Sequence, residues 1–413
     1  MGLLKKSGAP RARRVVLLLT VAATCGHASE FQLSLDLRTI SSDGRTSFLD
    51  DGLGKLRFDH EHEGMRLGRL RAAWNQPLGE VFSTHVETTT WDDDDKNPID
   101  LTEAYLEYRP YPRAGFRTRV RLGAFYPPMS LESRAVGWET PYTATPSAIS
   151  SWIGEEIRTI GIEGQVDWLG TRQGHAIDLQ LTGALFGWND PAGTMLSMHG
   201  FALHDRQTTL FGRVGAPQTD PDMPKKEVFH EMDGRAGFYV GAQARYLDRA
   251  VLNVLHYDNR ADPTVESVEL RDMAWKTRFD ALALRVETGN EWTLLLQAMD
   301  GDTIINPFRP LVWEFDSQSA LLAKRWHKQM LAVRYDLFEI EFDRDRNEPG
   351  SEHGRAWTVA WSYERGDDWR FALEWLRVES DVPARVVMFG EPAFAAESKL
   401  ELSVRYTVAG KFR

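Results

Sequence analysis

Three arginines, Arg117, Arg119 and Arg121, occupy every second position of "RTRVRLGAF", with Val120 and Leu122 on the other parity. If this segment is a strand, the three guanidiniums share one face. Acids recur with related spacing close by: Glu103 and Glu107 in "LTEAYLEYRP", Glu163 and Asp167 in "TIGIEGQVDW". Arg or Lys rings around a water-filled passage favour anions, so the ladder reads as an anion guide. Arg set against Glu and Asp reads instead as a transverse field that aligns solutes without strong selection. The residue types leave both readings open. Arg66, Arg71 and Arg245 extend the basic set, and Glu132, Arg134 and Glu139 are the charges available to line a constriction.

Other candidate chemistry is thinner. "WDDDDKNPID" offers a run of four acids, suited to a divalent cation or to a solvated face. His199, His204, Asp205, His230 and Glu231 lie in one long link, without the tight spacing of a metal site. The sequence contains no G-x-S-x-G, no H-E-x-x-H and no phosphate-cradling glycine loop. Catalysis is therefore not implied, and no cofactor or metal is called for.

The N-terminus narrows the class. "MGLLKKSGAPRARR" carries five basic residues and no acid, and "VVLLLTVAATCG" and "GHA" come after it. That is the pattern of a secretory signal peptide cleaved after Ala28. Cleavage removes Cys25, the only cysteine, and moves the formal net charge from −11 to −16. Such a charge disfavours nucleic acid as a partner. No apolar run after the leader approaches the length of a membrane-spanning helix.

Alternation then fixes the elements. "FQLSLDLR" sets Phe31, Leu33, Leu35 and Leu37 against Gln32, Ser34, Asp36 and Arg38. "WRFALEW" and "KLELSVRYTVAGKF" alternate in the same way, which predicts half-buried strands. Very short turns ("NQPLG", "YPRAG", "GTRQG", "LDR", "ETGN", "WHK", "RGDD") take turns with longer polar links at roughly 40–63, 92–100, 127–154, 188–234, 259–273, 302–316, 342–353 and 381–396. Eight long and seven short connections imply about sixteen strands. Long links confined to one end are the pattern of an all-β transmembrane antiparallel barrel, with long external loops and short periplasmic turns. "RFDALALRV" and "QMLAVRYDLFEIEF" carry apolar residues on both parities, from bulges or from an inward apolar patch, so their lumen faces stay unassigned.

The chain resembles the bacterial outer-membrane porins of sixteen strands. "VRLGAFYPPMSLE" followed by "SAISSWIGEEIRTIGIEG" is most similar to the phosphate-selective porin O and P family, over about 45 residues. The resemblance implies residence in the outer membrane of a Gram-negative bacterium among lipid and lipopolysaccharide. It further implies passive diffusion of small hydrophilic solutes, including anions such as phosphate, and a possible homotrimer. It also implies that the third long link, 127–154, folds into the barrel as part of the domain 29–413. Other classes kept in view are a barrel enzyme acting on lipid or peptide, and a structural or adhesive barrel working through its fourth link, 188–234.

The residues of the third link suit infolding. Pro127 and Pro128 end a strand because neither donates to a ladder. Gly137 and Pro141 permit a turn, and Trp138, Tyr142 and Trp152 are candidate anchors to the wall. Thr145 or Ser147 would cap a short helix.

Overall fold

The computed structural model describes residues 28–92, 99–133, 136–215, 217, 225–267 and 271–412. Residues 1–27, most of the acid run and Arg134 lie outside the described residues, as does the side chain of Phe412.

The alternating segments become strands β1 (Ser29–Ser42), β2 (Gly64–Pro77), β3 (Phe82–Thr90), β4 (Asp100–Tyr108), β5 (Phe116–Phe125), β6 (Thr159–Trp168), β7 (Ile177–Gly187), β8 (Gly237–Tyr246) and β9 (Ala250–Asp258). A small hairpin, β10 (Glu266–Ser267) with β11 (Asp272–Met273), lies in a link. The wall continues with β12 (Lys276–Glu287), β13 (Trp292–Ile305), β14 (Leu311–Trp326), β15 (Gln329–Phe342), β16 (Glu352–Arg365), β17 (Trp369–Asp381) and β18 (Phe394–Phe412). Apart from the hairpin, consecutive strands pair antiparallel, and β1 pairs with β18, so sixteen strands close the barrel. Closure leaves no sheet edge, which is what a backbone surrounded by lipid requires.

The side-chain phase is that of a membrane barrel. Leu33, Leu35, Leu37, Leu181, Leu185, Leu282, Leu322, Leu373 and Leu402 are exposed on the outer face. Exposed aromatics gather near the short turns: Phe82, Tyr108, Phe116, Tyr246, Trp292, Trp369 and Tyr406. At the other end of the apolar band, four acids face one another across neighbouring strands, in the register Asp280–Asp300–Asp316–Glu339. Like charges side by side repel unless water or counter-charge screens them, so this row marks where hydrocarbon ends.

One link is shorter than its composition suggests. Residues 302–316 read as a polar loop, yet β13 and β14 run on and leave only Asn306–Pro310 as the turn. The polar residues Asp302, Glu314 and Asp316 are outward strand positions beyond the apolar band.

The segments with two apolar faces have a simple cause. Phe279 on β12 and Phe338 and Ile340 on β15 point inward and are buried. They meet Trp152 and Phe201, which belong to long links and not to the wall. Loops inside the barrel thus supply a dry core, and the inner wall there is apolar as well.

Candidate functional site

The residues joining β5 to β6 contain helix α1 (Ala148–Glu156), capped by Ser147, whose hydroxyl accepts from the Ser150 N–H. All nine residues of α1 are buried. Gly137 makes the bend that precedes it, at φ +80°, where a Cβ would collide with Arg71 Nη1. Only glycine fits there.

Inward side chains from many strands hold this segment. Asn253 on β9 donates to the Pro128 and Met129 carbonyls at 3.1 and 2.9 Å. Glu374 on β17 accepts from the Ala144 and Thr145 N–H groups, and Asp336 on β15 from that of Ala148. Lys399 on β18 reaches the Thr145 hydroxyl at 3.0 Å, and Arg370 on β17 reaches the Pro141 carbonyl at 2.7 Å. Glu87 on β3 accepts from the Gly137 N–H at 2.9 Å. Irregular backbone at this depth would otherwise leave buried N–H and C=O groups unpaired.

Arg334 on β15 is the densest of these ties. It donates to Glu132 Oε1 at 3.2 Å, Asp336 Oδ2 at 2.7 Å, and the Thr145 and Pro146 carbonyls at 2.7 and 2.8 Å. Glu132 also accepts from the Ser147 hydroxyl at 2.6 Å, so one carboxylate links wall and helix cap. Trp152 packs edge-on against Phe279 and Phe315 of the wall. Trp138 instead binds within its own segment, donating to the Ser150 carbonyl and stacking on Tyr126 at 4.3 Å.

Two further links enter the same space. His204 and Ser151 exchange hydrogen bonds, and Arg158 donates to the Thr208 carbonyl. Lys55 donates to the His199 carbonyl at 2.6 Å and to Glu352 at 2.8 Å. His199 and His204 flank Glu155 of α1 at 3.3 and 3.7 Å, and Asp205 pairs with Arg38 and Arg57. The first and fourth long links thus pack on the outer side of α1, an arrangement with no counterpart in their own hydropathy.

The Arg117, Arg119 and Arg121 ladder faces the lumen, and its charge is met one strand away. Arg117 pairs with Asp167, Arg119 with Glu163 and Gln165, and Arg121 grips Glu163 through two bonds of 2.8 Å. Arg117 and Arg119 keep 32% and 26% of their side chains exposed, against 10% for Arg121, so the ladder is wettest toward the short turns. Glu107 lies in register with Arg121, and Glu103 accepts from the Tyr126 N–H at 3.1 Å. The ladder is thereby largely neutralised on its own wall.

A second basic cluster is not neutralised in this way. Arg69 and Arg71 on β2 and Arg405 on β18 all donate to the one carboxylate of Glu139, Arg71 at 2.6 Å, and Arg370 stands beside them. Burial would raise the Glu139 carboxyl, but the guanidiniums of Arg405, Arg69 and Arg71 outweigh it and hold the group down to about 2.

Arg66 corrects the sequence reading. It is no constriction residue: it donates to the His62 and Glu61 carbonyls at the mouth. The place beside Glu139 belongs to Arg69. A register shift between Asp36 and Leu37 of β1 leaves Gly68 of β2 unpaired, and this bulge flips the parity of the β2 residues beyond it. Arg370 and Arg405 were legible as the polar parity of their strands, but nothing in the sequence joins them to Glu139.

No protein-family model and no curated protein matches the chain. The structure is similar to the outer-membrane channel DcaP of Acinetobacter baumannii, with a TM-score of 0.55 and 11% identity over 92% of this chain and 96% of that one. An anion-selective porin from Comamonas acidovorans aligns at TM-score 0.49 and 9% identity, over 92% and 100% of the two chains. A loop-deletion mutant of OmpT, an outer membrane protein of Vibrio cholerae, aligns at 0.49 and 11%, over 92% and 99%. At 11% identity the likeness to the DcaP channel is one of fold alone, that of a closed β-barrel.

Proposed function

We propose that the protein is an outer-membrane channel through which small hydrophilic solutes diffuse passively, with residues 127–158 as the constriction. The observation that carries this reading is the set of ties between that segment and inward side chains on β2, β3, β9, β13, β15, β17 and β18. A sixteen-stranded barrel encloses a lumen wide enough for an aqueous channel. A segment pinned across that lumen at several heights sets the remaining width.

The charges favour passage of anions over cations at the constriction. Arg117, Arg119 and Arg121 face acids on their own wall, whereas Arg69, Arg71, Arg370 and Arg405 share mainly Glu139 and Asp36. Phosphate is one anion to test, given the likeness of the 120–164 region to phosphate-selective porins. Planar-bilayer recording tests the reading: stepwise conductance with a reversal potential on the anion side in a salt gradient supports it. Absence of conductance from correctly folded protein would overturn it.

A further inference from the structure

Four guanidiniums surround Glu139, and each keeps a donor unused. The Nε atoms of Arg69, Arg71, Arg370 and Arg405 are all buried without a hydrogen-bond partner. Arg69 and Arg71 are themselves 3% and 2% exposed. A buried, unpaired guanidinium N–H is costly, and four of them on the arginines around one carboxylate call for a partner. Another nearby carboxylate, Asp36, is shared between Arg405 at 3.5 Å and Arg38 at 2.9 Å. The four cations have one carboxylate, Glu139, in common, while Asp36, Asp205 and Glu364 each act on only some of them. A small cavity adjoins the cluster, lined by Arg69, Glu139, Thr140, Ser150, Gln207 and Arg405. The approach is from the short-turn side, where Arg370 and Arg405 are only partly covered and Val136 is 37% exposed.

We propose that this cradle is a binding station for the carboxylate group of a passing solute, and that Glu139 occupies it as a built-in competitor. The inference rests on the channel reading and adds a solute class to it. The occupant seen is a planar carboxylate held by Arg69, Arg71 and Arg405 at once, so the donors are already spaced for that group. Glu139 sits on the irregular stretch between Gly137 and Pro141, where wall side chains hold the backbone at either end, Glu87 and Arg69 at Gly137 and Arg370 at Pro141. A solute carboxylate that takes the fork lets Glu139 turn toward the lumen, and its return expels the solute. Exchange of like for like keeps the station occupied without trapping what passes.

A self-ligand reduces apparent affinity by the fraction of time the site stands empty, so its removal restores that factor. Isothermal titration of the full-length detergent-solubilised barrel with succinate measures it. Glu139→Gln should bind succinate at least about tenfold more tightly than the wild type. Adding Arg405→Ala to that variant should abolish the gain. Retention of the fast-migrating unheated form on gels establishes that each variant is folded, and Glu139→Ala serves as a second test of the same position. Equal affinity for succinate in wild type and both Glu139 variants would overturn the proposal, as would a gain for phosphate with none for succinate. Bilayer recording separates the two readings: a gain in binding without conductance upholds the cradle and sinks the channel. Conductance with no gain in binding does the reverse.

Discussion

Arg334 of β15 and Glu132 of the β5–β6 connection are joined at 3.2 Å although 202 positions separate them in sequence. Both are fully buried, and Arg334 also holds the two carbonyls that precede the capped helix. Removing one partner of a buried pair strands the other, at a cost of about 3–5 kcal/mol. Arg334→Ala should therefore release the segment while leaving the wall closed. Single-channel records should show a larger and noisier current, and Arg334→Lys should recover only part of the loss, because ammonium cannot reproduce the fork. A quiet current of wild-type size from Arg334→Ala would rule out this pinning role.

Trp152 tests the dry core. Its ring lies between Phe279, Phe315 and Phe201. Trp152→Ala should cost about 3–5 kcal/mol, seen as a lower temperature for loss of the fast-migrating unheated form. An unchanged transition temperature would mean that α1 does not depend on the wall for its position.

The ladder makes an electrostatic prediction of opposite signs. Glu163 faces Arg121 and Arg119 together. Glu163→Gln should unmask both and move the reversal potential toward anions, whereas Arg121→Ala should move it toward cations. Shifts in the same direction from both variants would show that this wall does not set the selectivity.

Glu156, in α1, gives a pH dependence. Burial pushes its carboxyl up to about 8, the donors Met195 N–H and Trp152 Nε1–H offsetting this in part and the Glu155 carboxylate adding to it. The folded state thus prefers the neutral acid, whose usual value is 4.5. Its contribution to stability is complete below that value, declines as pH rises, and is lost once pH passes about 8. The wild-type thermal transition should fall between the usual carboxylate value and about 8 more steeply than that of Glu156→Gln. Glu139, held down to about 2, loses its contribution only on acidification below the usual 4.5, outside that interval. Parallel pH profiles for wild type and Glu156→Gln would contradict the assignment.

The sixteen wall strands were legible because most carry a two-residue period, apolar toward lipid, and because short turns alternate with long links. Positions such as Leu33, Leu35 and Leu37 need no partner identity to be placed on the outer face. The site was less legible, for local reasons. Arg69 shares the parity of Arg71, but the bulge at Gly68 reverses the phase between Arg66 and Arg69, and a bulge leaves no mark in hydropathy. The inward apolar faces of β12 and β15 have meaning only once Trp152 and Phe201 are inside the barrel. Pairings such as Glu139 with Arg405 join positions hundreds of residues apart, and alternation carries no information about which inward residues face each other across a lumen.

If residues 127–158 set the width of the passage, single-channel conductance of a deletion should reveal it. Removing Ser133 to Ser147 takes out Gly137, Glu139 and the ties at Ala144 and Thr145 while leaving the wall strands intact. Conductance should rise clearly and discrimination by solute size should weaken, in a barrel that still migrates fast unheated. Wild-type conductance and wild-type size discrimination from that folded deletion would contradict it.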